Sequence, residues 1–390
     1  MLEQAINSLA IEAAFAGTLG LDVEQDYNDQ TLQEAHSQYR RIGLQETMIL
    51  AARANGYTGR SVITQENLRE VLQYSCPQNY GPPVHGSAAT TVSLSGILSN
   101  VANKSLLKGY MEEDSDWREF ASVKPVTDFK EATSYRMLDD MEYEKVAPNG
   151  EIAHGRLGQE SYTRSADTYA KMLGITRTQI INDDLGAFDD IRERLGQGSA
   201  RKFRRIFWQT FLSNAAFFTA ERANLLTGAN TALGEDGAAL QLAITSYRKL
   251  KSTDGKQIGT GTLGTPTKLL VPPELEFVAE SLYTSANVNT GGASTSDKVG
   301  SADVHRGRYK PYVVNELSDT DYANASATAW YLFGKNLKPL VVSFLNGVEQ
   351  PTIESADADF HHLGVRFRGY HDFGVDQAEW LAGVKNTGVA

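Results

Sequence analysis

The sequence contains almost no cysteine: Cys76 is the only one among 390 residues. A single thiol cannot form an internal disulfide framework or a four-thiolate zinc site. No apolar run approaches the roughly 20 residues that a membrane-spanning helix needs. The first residues, MLEQAINSLAIEAAFAG, have neither the basic region nor the cleavage motif of a secretory signal. These absences predict a soluble protein, made in a reducing compartment, with no membrane partner.

Positive charge is also scarce, with 37 Lys and Arg against 48 Asp and Glu and a formal net charge of −11. A sequence-reading DNA-binding protein would carry a basic face, so this balance argues against that class. The hydrophobic share of 41% and the charged share of 22% are those of an ordinary globular protein. The length favours two or three domains.

Most catalytic signatures are missing, since G-x-S-x-G, Walker A, H-E-x-x-H and C-x-x-C patterns do not occur in the chain. The stretch GTGTLG, residues 259–264, fits G-x-G-x-x-G, but it follows a predicted helix and precedes a predicted strand. That context is the reverse of a dinucleotide site and favours a flexible turn. The stretch SLLK, residues 105–108, has the spacing of a serine–lysine acylase without its other elements. An amphipathic helical turn with Lys108 in solvent is the preferred interpretation.

Three of the seven histidines lie in DADFHHLGVRFRGYHDFGV, residues 357–375. The alternation in GVRFRGY is typical of a strand, on which His361 and His371 would lie about 33 Å apart. One metal ion could not bind all three histidines on such a strand, because His361 and His362 also point to opposite faces. The sequence therefore predicts a strand without a metal, a cofactor or a catalytic role.

The same alternation places Val365 and Phe367 on one face of this strand. We expect both to pack against an apolar stripe on a long helix predicted over residues 184–213. That stripe consists of Phe203, Ile206 and Phe207.

The remaining pattern predicts the following order of elements. Residues 1–76 read as helices, residues 123–180 as a long polar hairpin with a turn at Pro148, Asn149 and Gly150, and residues 222–345 as alternating helices and strands. A hairpin that is polar on both faces has no apolar side to bury in its own domain. It therefore either packs on another surface or is mobile. On the long helix, the RKFRR run of residues 201–205 predicts a solvated face paired with Asp189, Asp190 and Glu193. The alternative is contact with an acidic partner surface or packed nucleic acid.

From about residue 91 onward, the chain resembles the major capsid proteins of tailed bacteriophages with the Hong Kong 97 fold. It is most similar to Mu-like major head subunits, which are often encoded as fusions behind a prohead protease. The resemblance is carried by TVSLSGILSNVANKSLLKGY, VKPVTDFKE, the block from NGEIAHGRLGQESYTRSADTYAKMLGITRTQII to NDDLGAFDDIRERLGQGSARK, LLVPPELEFVAESLY, and AWYLFG with FLNGVEQPTIE. The terminal strand GVRFRGYHDFGV also fits.

This resemblance implies an α+β fold with an N-terminal arm, an extended β-hairpin loop, a long spine helix in a peripheral domain and an α/β axial domain. The implied boundaries are 1–85 for a helical N-terminal segment, 86–125 for the arm, 126–180 for the peripheral strand and extended loop with its hairpin at 139–170, 181–221 for the spine helix, 222–345 for the axial domain and 346–390 for the return to the peripheral domain. Residues 1–85 lie outside the shell-forming pattern. They are expected to be a scaffold-like segment, a linker or an accessory of this virus.

The implied function is non-enzymatic: self-assembly through hexamers and pentamers into an icosahedral shell around a double-stranded DNA genome. The implied partners are the portal, scaffold and prohead protease during assembly in the bacterial cytoplasm, and packaged DNA bound non-specifically at the inner surface. The expected contacts between subunits involve Asn149, Gly150, Glu151, Arg156, Glu160, Arg164, Arg192 and Arg194. The alternatives are an encapsulin-like shell around cargo proteins and, more distantly, a soluble α/β enzyme.

Overall fold

The computed structural model describes residues 7–39, 42–64, 66–75, 94–111, 116–139, 157–176, 185–253, 255, 265–289, 300–357 and 364–389. Helices and several sheets occur together, so the predicted α+β class is confirmed. The chain divides into two compact units. The first unit comprises residues 1–114, 168–202 and 348–372, and the second comprises residues 115–167, 203–347 and 373–390.

The first unit begins with helices α1 (Ser8–Thr18), α2 (Asp29–Gln38), α3 (Leu44–Ala54) and α4 (Leu68–Ser75). Asn7 and Asn28 cap α1 and α2, because their side chains accept hydrogen bonds from backbone N–H groups of the first turn. The prediction of helices in this part of the chain is confirmed. The fourth helix begins at Leu68, and just before it the N–H of Thr64 donates to Oδ1 of Asn67 at 2.6 Å.

A single hydrophobic cluster joins these four helices to α5 (Leu94–Met111) and to later parts of the first unit. Its members include Phe15 of α1, Leu72 of α4, Leu98 of α5 and, from the last segment of the unit, Ile353 and Phe367. The N-terminal helices therefore share their core with residues more than 250 positions further along the chain.

A 28-residue helix, α6 (Leu185–Leu212), runs from the first unit into the second. Glycine disfavours a helix interior, yet α6 is continuous through Gly196 and Gly198. A Cβ on Gly196 would lie 2.1 Å from the carbonyl oxygen of Leu106, and one on Gly109 would lie 2.4 Å from that of Glu193. These glycines are needed because α5 and α6 cross with their backbones almost in contact.

The second unit contains a five-stranded sheet in the order β5–β14–β10–β6–β9. Its strands are β5 (Leu225–Leu226), β6 (Pro266–Val271), β9 (Lys310–Val313), β10 (Trp330–Gly334) and β14 (Gly383–Asn386). The helices α7 (Ala238–Lys249) and α8 (Glu276–Thr284) belong to the same unit. Every residue of β10 is buried, which explains its unbroken apolar sequence WYLFG. The alternation of helices and strands predicted for residues 222–345 is confirmed at these elements.

The second unit also contains β1 (Ala121–Val126) paired parallel to β11 (Leu340–Leu345). Aromatic side chains fill the space beside them: Phe203 lies 4.8 Å from Trp117, 4.9 Å from Phe373 and 6.1 Å from Phe344, measured between ring centroids. Such aromatic pairs contribute packing energy beyond the area they bury. The C-terminal part of α6 is thus anchored by an aromatic core.

The histidine-rich stretch forms part of strand β13 (Gly364–Gln377), as predicted. Its residues up to 372 lie in the first unit and pair antiparallel with β12 (Thr352–Asp357), and its later residues pair with β11 in the second. Alternate positions from 367 to 375 are buried, which is the period of a strand with one face in a core. The run from 358 to 363, which contains His361 and His362, lies outside the described residues.

Phe367 is buried as predicted, but its partners differ from the predicted ones. It belongs to the cluster of Leu195 and Ile353, whereas Phe203 packs on Phe373, six residues further along the same strand. The error is one of register: the face was assigned correctly, but its position along α6 was displaced by two turns. The side chain of Val365 lies outside the described residues, and Ile206 is only partly buried.

The predicted hairpin is present as β2 (Ala132–Asp139) paired antiparallel with β3 (Leu157–Arg164), followed by β4 (Asp167–Thr176). The register brings Arg136 opposite Glu160 and Ala132 opposite Arg164. Residues 140–156, which contain the predicted turn, lie outside the described residues. A second short hairpin is formed by β7 (Asn287–Asn289) and β8 (Gly300–Ala302).

Candidate assembly surfaces

His371 lies on the buried face of β13 and is not exposed for chemistry. Its Nδ1 is 3.1 Å from Oγ of Ser199, and its ring packs edge-on against Tyr110 at 5.7 Å. Burial lowers the pKa of His371 to about 4, although a backbone hydrogen bond to Glu349 and the charge of Asp372 act in the opposite direction. The side chain is therefore a neutral core residue at pH 7. Among the described residues, no group of three or more His, Cys, Asp or Glu is placed to hold a metal ion.

The pKa of His371 predicts an acid-sensitive subunit. Because the folded value lies below the unfolded value of about 6.5, the unfolded chain binds this proton first. The stabilisation is complete above pH 6.5 and is lost as the pH falls towards 4, by on the order of 3 kcal/mol. We expect the unfolding free energy of the wild type to fall more between pH 7 and pH 4.5 than that of His371→Gln. Denaturant titrations at the two pH values measure both changes. An equal fall in unfolding free energy for the wild type and the variant would contradict a buried neutral imidazole.

The residues predicted to form contacts between subunits fall into two groups. Asn149, Gly150, Glu151 and Arg156 lie outside the described residues, and so do the side chains of Glu160 and Arg192. Arg164 is half-buried at the end of β3, and its Nε has no hydrogen-bond partner among the described residues. Arg194 is exposed on α6. The role of all these residues in contacts between subunits stays a prediction.

Arg194 is one of the residues that line a cleft of about 770 Å³ in the first unit. The lining also includes the apolar side chains of Leu106 and Leu195 and the cationic side chains of Lys171 and Lys202. Lys202 stands over the ring of Tyr169 at 5.4 Å. The lining of this cleft therefore combines apolar and cationic side chains.

The RKFRR run has the predicted exposure, and one of its arginines pairs with a residue outside the predicted set. Arg201, Lys202 and Arg205 are exposed, while Phe203 is buried. Arg204 forms a two-pronged ion pair with Glu316 of the second unit, with one N–O distance of 3.1 Å. This pairing was not predicted, since Glu316 lies more than 100 residues away in sequence. The side chains of Asp189 and Asp190 lie outside the described residues.

The SLLK stretch is a turn of α5, as predicted. Ser105 is buried and Lys108 is exposed, so the two side chains do not form a catalytic pair. The GTGTLG stretch lies outside the described residues. None of the described helices is both long and apolar enough to cross a membrane.

A buried polar cluster in the N-terminal helices was missed by sequence reasoning. Glu12 is only 6% exposed, and its carboxylate accepts hydrogen bonds from Tyr27 at 2.6 Å and from Asn100 of α5 at 2.9 Å. Lys104, one turn further along α5, pairs with Asp26 at 3.1 Å and covers the ring of Tyr27 at 3.7 Å. Burial and the hydrogen bond to Glu12 raise the pKa of Tyr27. A lone Glu in an apolar helix was the available signal, because a buried carboxylate requires partners.

The sequence profile of a family described as phage capsid protein matches residues 159–386, more than half of the chain. No protein among the curated sequences matches this chain. Solved structures with a similar course of the chain include a virus-like particle from Pyrococcus furiosus, at 11% identity and a TM-score of 0.42, covering 74% of this chain and 98% of that one. The mature capsid of bacteriophage PhiM1 shows 13% identity and a TM-score of 0.45, covering 80% and 94%. The capsid of Ralstonia phage GP4 shows 10% identity and a TM-score of 0.44, covering 80% and 98%.

The structural similarities are too distant to carry an argument, so the assignment rests on the family match. That match begins in β3 and ends in β14, and it therefore includes the long helix, the second unit's sheet and strand β13. The chain belongs to the phage capsid protein family and is therefore a structural protein of a phage shell.

Proposed function

We propose that this shell protein has the Hong Kong 97 fold in its Mu-like form and assembles through hexamers and pentamers around double-stranded DNA. The observation that carries the proposal is the family match over residues 159–386, together with a long helix that comes after the β2–β3 hairpin and strand β4 in the chain. The portal, scaffold and prohead protease are the proposed partners during assembly in the host cytoplasm. The net charge of −11 is consistent with an inner surface that contacts packed DNA without binding it tightly.

Particles purified from infected or expressing cells test this proposal. Nuclease-protected DNA of genome length inside the particles is the expected result. Particles that contain a defined protein instead of DNA would favour the cargo-shell alternative. A small oligomer on size-exclusion chromatography would contradict both.

The hairpin of β2 and β3 is proposed to lie on a neighbouring subunit. Only Ser134 is buried among the hairpin positions whose burial is described, and the buried Nε of Arg164 has no partner among the described residues. Pairs of surface charges such as those expected at Glu160 and Arg164 contribute only about 0–1 kcal/mol each. Repetition over a closed shell allows such weak contacts to set register and curvature.

Shortening the tip of this hairpin is expected to block assembly without unfolding the subunit. Replacing residues 140–156 by Asn-Gly keeps all the paired residues of β2 and β3 and supplies a favourable two-residue turn. The melting temperature should stay close to that of the wild type, while sedimentation should show no closed shells. Normal shells from this variant would defeat the assignment of the hairpin to contacts between subunits.

The N-terminal helices are proposed to be a permanent part of the shell subunit rather than a removable scaffold. Three observations support this: the shared cluster that contains Phe15 and Phe367, the bonds of Glu12 to Asn100, and the pair of Lys104 with Asp26. A scaffold that leaves during maturation would have to break all of these contacts, of which the hydrophobic cluster and the bonds of Glu12 are buried. This segment therefore extends the capsid fold of this particular protein.

A further inference from the structure

The cleft beside α6 in the first unit carries charge of one sign. Among the described residues that line it, Lys171, Arg194 and Lys202 are exposed cations, and none is Asp or Glu. Within the described part of the chain, none of the three forms an ion pair. We call this surface the α6 cleft. In a chain with a net charge of −11, it is a site that attracts acidic groups.

The carboxylates bonded to the lining do not cancel this charge. Tyr370 of the lining donates to Glu354 at 3.1 Å, but Arg368 also binds that carboxylate, at 2.8 Å. Thr168 of the lining donates to Asp372 at 2.6 Å. Of these two carboxylates, only Asp372 lacks a cationic partner among the described residues, and the lining holds three cations. An excess of positive charge therefore remains.

Gly198 keeps the cleft open. Glycine disfavours a helix interior, and the contact with α5 explains Gly196. Gly198 has no such explanation, because a Cβ on it would meet no other part of the chain within 4 Å and its backbone is not left-handed. The residue lies in the lining of the α6 cleft. An occupant that packs close against α6 accounts for a glycine at this position.

The cations are too far apart for one small anion. Arg194 and Lys202 are eight residues apart on α6, which is about 12 Å along the helix axis at 1.5 Å per residue. A charge-assisted hydrogen bond spans only about 2.7–2.9 Å. The cleft therefore fits a segment with several carboxylates better than a single anionic group. Leu106 and Leu195 in the lining favour a segment that also carries apolar side chains.

A run in the hairpin tip has this composition and spacing. Residues 140–144 read DMEYE, three carboxylates that alternate with Met and Tyr, and Lys145 follows them. The run begins directly after Asp139, the last paired residue of β2. In an extended segment, alternate residues lie on one face about 6.7 Å apart, so the first and third carboxylates are about 13 Å apart. That distance matches the spacing of the two cations on α6.

We infer that the α6 cleft binds residues 140–144 of a second copy of this chain. Their carboxylates pair with Lys171, Arg194 and Lys202, and their Met and Tyr side chains pack on the apolar lining. The inference rests on the proposed function, in which the hairpin lies on a neighbouring subunit, and it identifies the surface that receives the tip. Because tip and cleft are different patches, the contact is heterologous and repeats from copy to copy.

Peptide binding to the unassembled subunit tests this pairing. The probe is a fluorescent peptide with the sequence of residues 138–146, LDDMEYEKV. Saturable binding is expected, and a peptide with Asn and Gln in place of Asp and Glu should bind roughly tenfold more weakly. The subunit with residues 140–156 replaced by Asn-Gly should bind the probe as tightly as the wild type, because a wild-type tip lies in another copy. Clearly tighter binding by the shortened subunit would mean that each tip occupies its own cleft, which overturns the inference.

Two changes in the cleft give the sharpest comparison. Gly198→Leu places a side chain in the cleft where a Cβ meets no other part of the chain, so the melting temperature should not fall. The double variant Lys171→Glu, Lys202→Glu reverses two charges of the lining. Each change should weaken probe binding roughly tenfold and reduce the yield of assembled particles. Gly17→Leu is the matched control, since Gly17 is an exposed glycine of α1 with equally open surroundings.

Cleft variants that bind the probe as tightly as this control would overturn the inference. So would a lack of saturable binding to both the wild type and the shortened subunit. If shells form normally although the probe does not bind, the contact is refuted while the proposed function stands. A chain that binds the probe with the expected dependence on the cleft but forms no shell would contradict the proposed function and support the cleft.

Discussion

Removing residues 1–75 is expected to abolish soluble subunit. The deletion takes away α1 to α4, which share a cluster with Leu94, Leu98 and Val101 of α5 and with Phe367. Exposing four such side chains costs about 1.5–3 kcal/mol each, or roughly 6–12 kcal/mol in all. The unfolding free energy of a typical domain is only about 5–15 kcal/mol. The truncated chain would therefore retain little or no stability.

The measurement is the soluble yield and melting temperature of the truncated chain beside those of the full chain. A second variant, Glu12→Gln, keeps the side-chain size and removes the charge that Tyr27 and Asn100 bind, so it should melt at a lower temperature but remain soluble. The mass of the protein in purified shells provides an independent check, and it should still include α1 to α4. A truncated chain that folds and melts like the full one would show that the N-terminal helices are a removable appendage.

Phe367→Ala is expected to reduce the unfolding free energy of the subunit by about 3–5 kcal/mol, the usual range for a buried Phe replaced by Ala. Phe367 is 1% exposed and lies in the cluster with Leu195 and Ile353. Truncation leaves a cavity that rigid backbone on both sides cannot fill, because β12 and β13 are paired across this position. Denaturant unfolding of the unassembled subunit measures the change.

The neighbouring Arg368 supplies the control for this experiment. Its side chain is 64% exposed on the opposite face of the strand, where it pairs with Glu354 at 2.5 Å. Such an exposed pair contributes about 0–1 kcal/mol, so Arg368→Ala should change stability little. Comparable losses from the two variants would mean that the two faces of β13 have been assigned the wrong way round.

The sequence patterns predicted local structure well wherever the spacing of apolar residues was set only by the buried face of one helix or strand. The alternation of Phe367 and Arg368, the stripe of Phe203 and Phe207, and the unbroken apolar run of β10 each follow from a strand or helix with a fixed buried face. The order of helices and strands in residues 222–345 could be read for the same reason.

Long-range partners could not be read from the same patterns. Phe367 was assigned to Phe203, but Phe373 takes that place, because periodicity determines a face and not a position along the neighbouring helix. A glycine inside a helix has no local explanation, and that of Gly196 lies in the close crossing of α5. The links of Arg204 to Glu316 and of Glu12 to Asn100 span 112 and 88 residues, which no local pattern encodes.

Electron microscopy of the purified full-length chain tests the central claim most directly. Expression of the chain with the assembly partners of its phage should yield closed particles of uniform diameter with icosahedral symmetry, built from this protein as the main component. Two-dimensional class averages at neutral pH would be sufficient to see hexamers and pentamers in the shell. A homogeneous population of monomers or small oligomers under the same conditions would contradict the account.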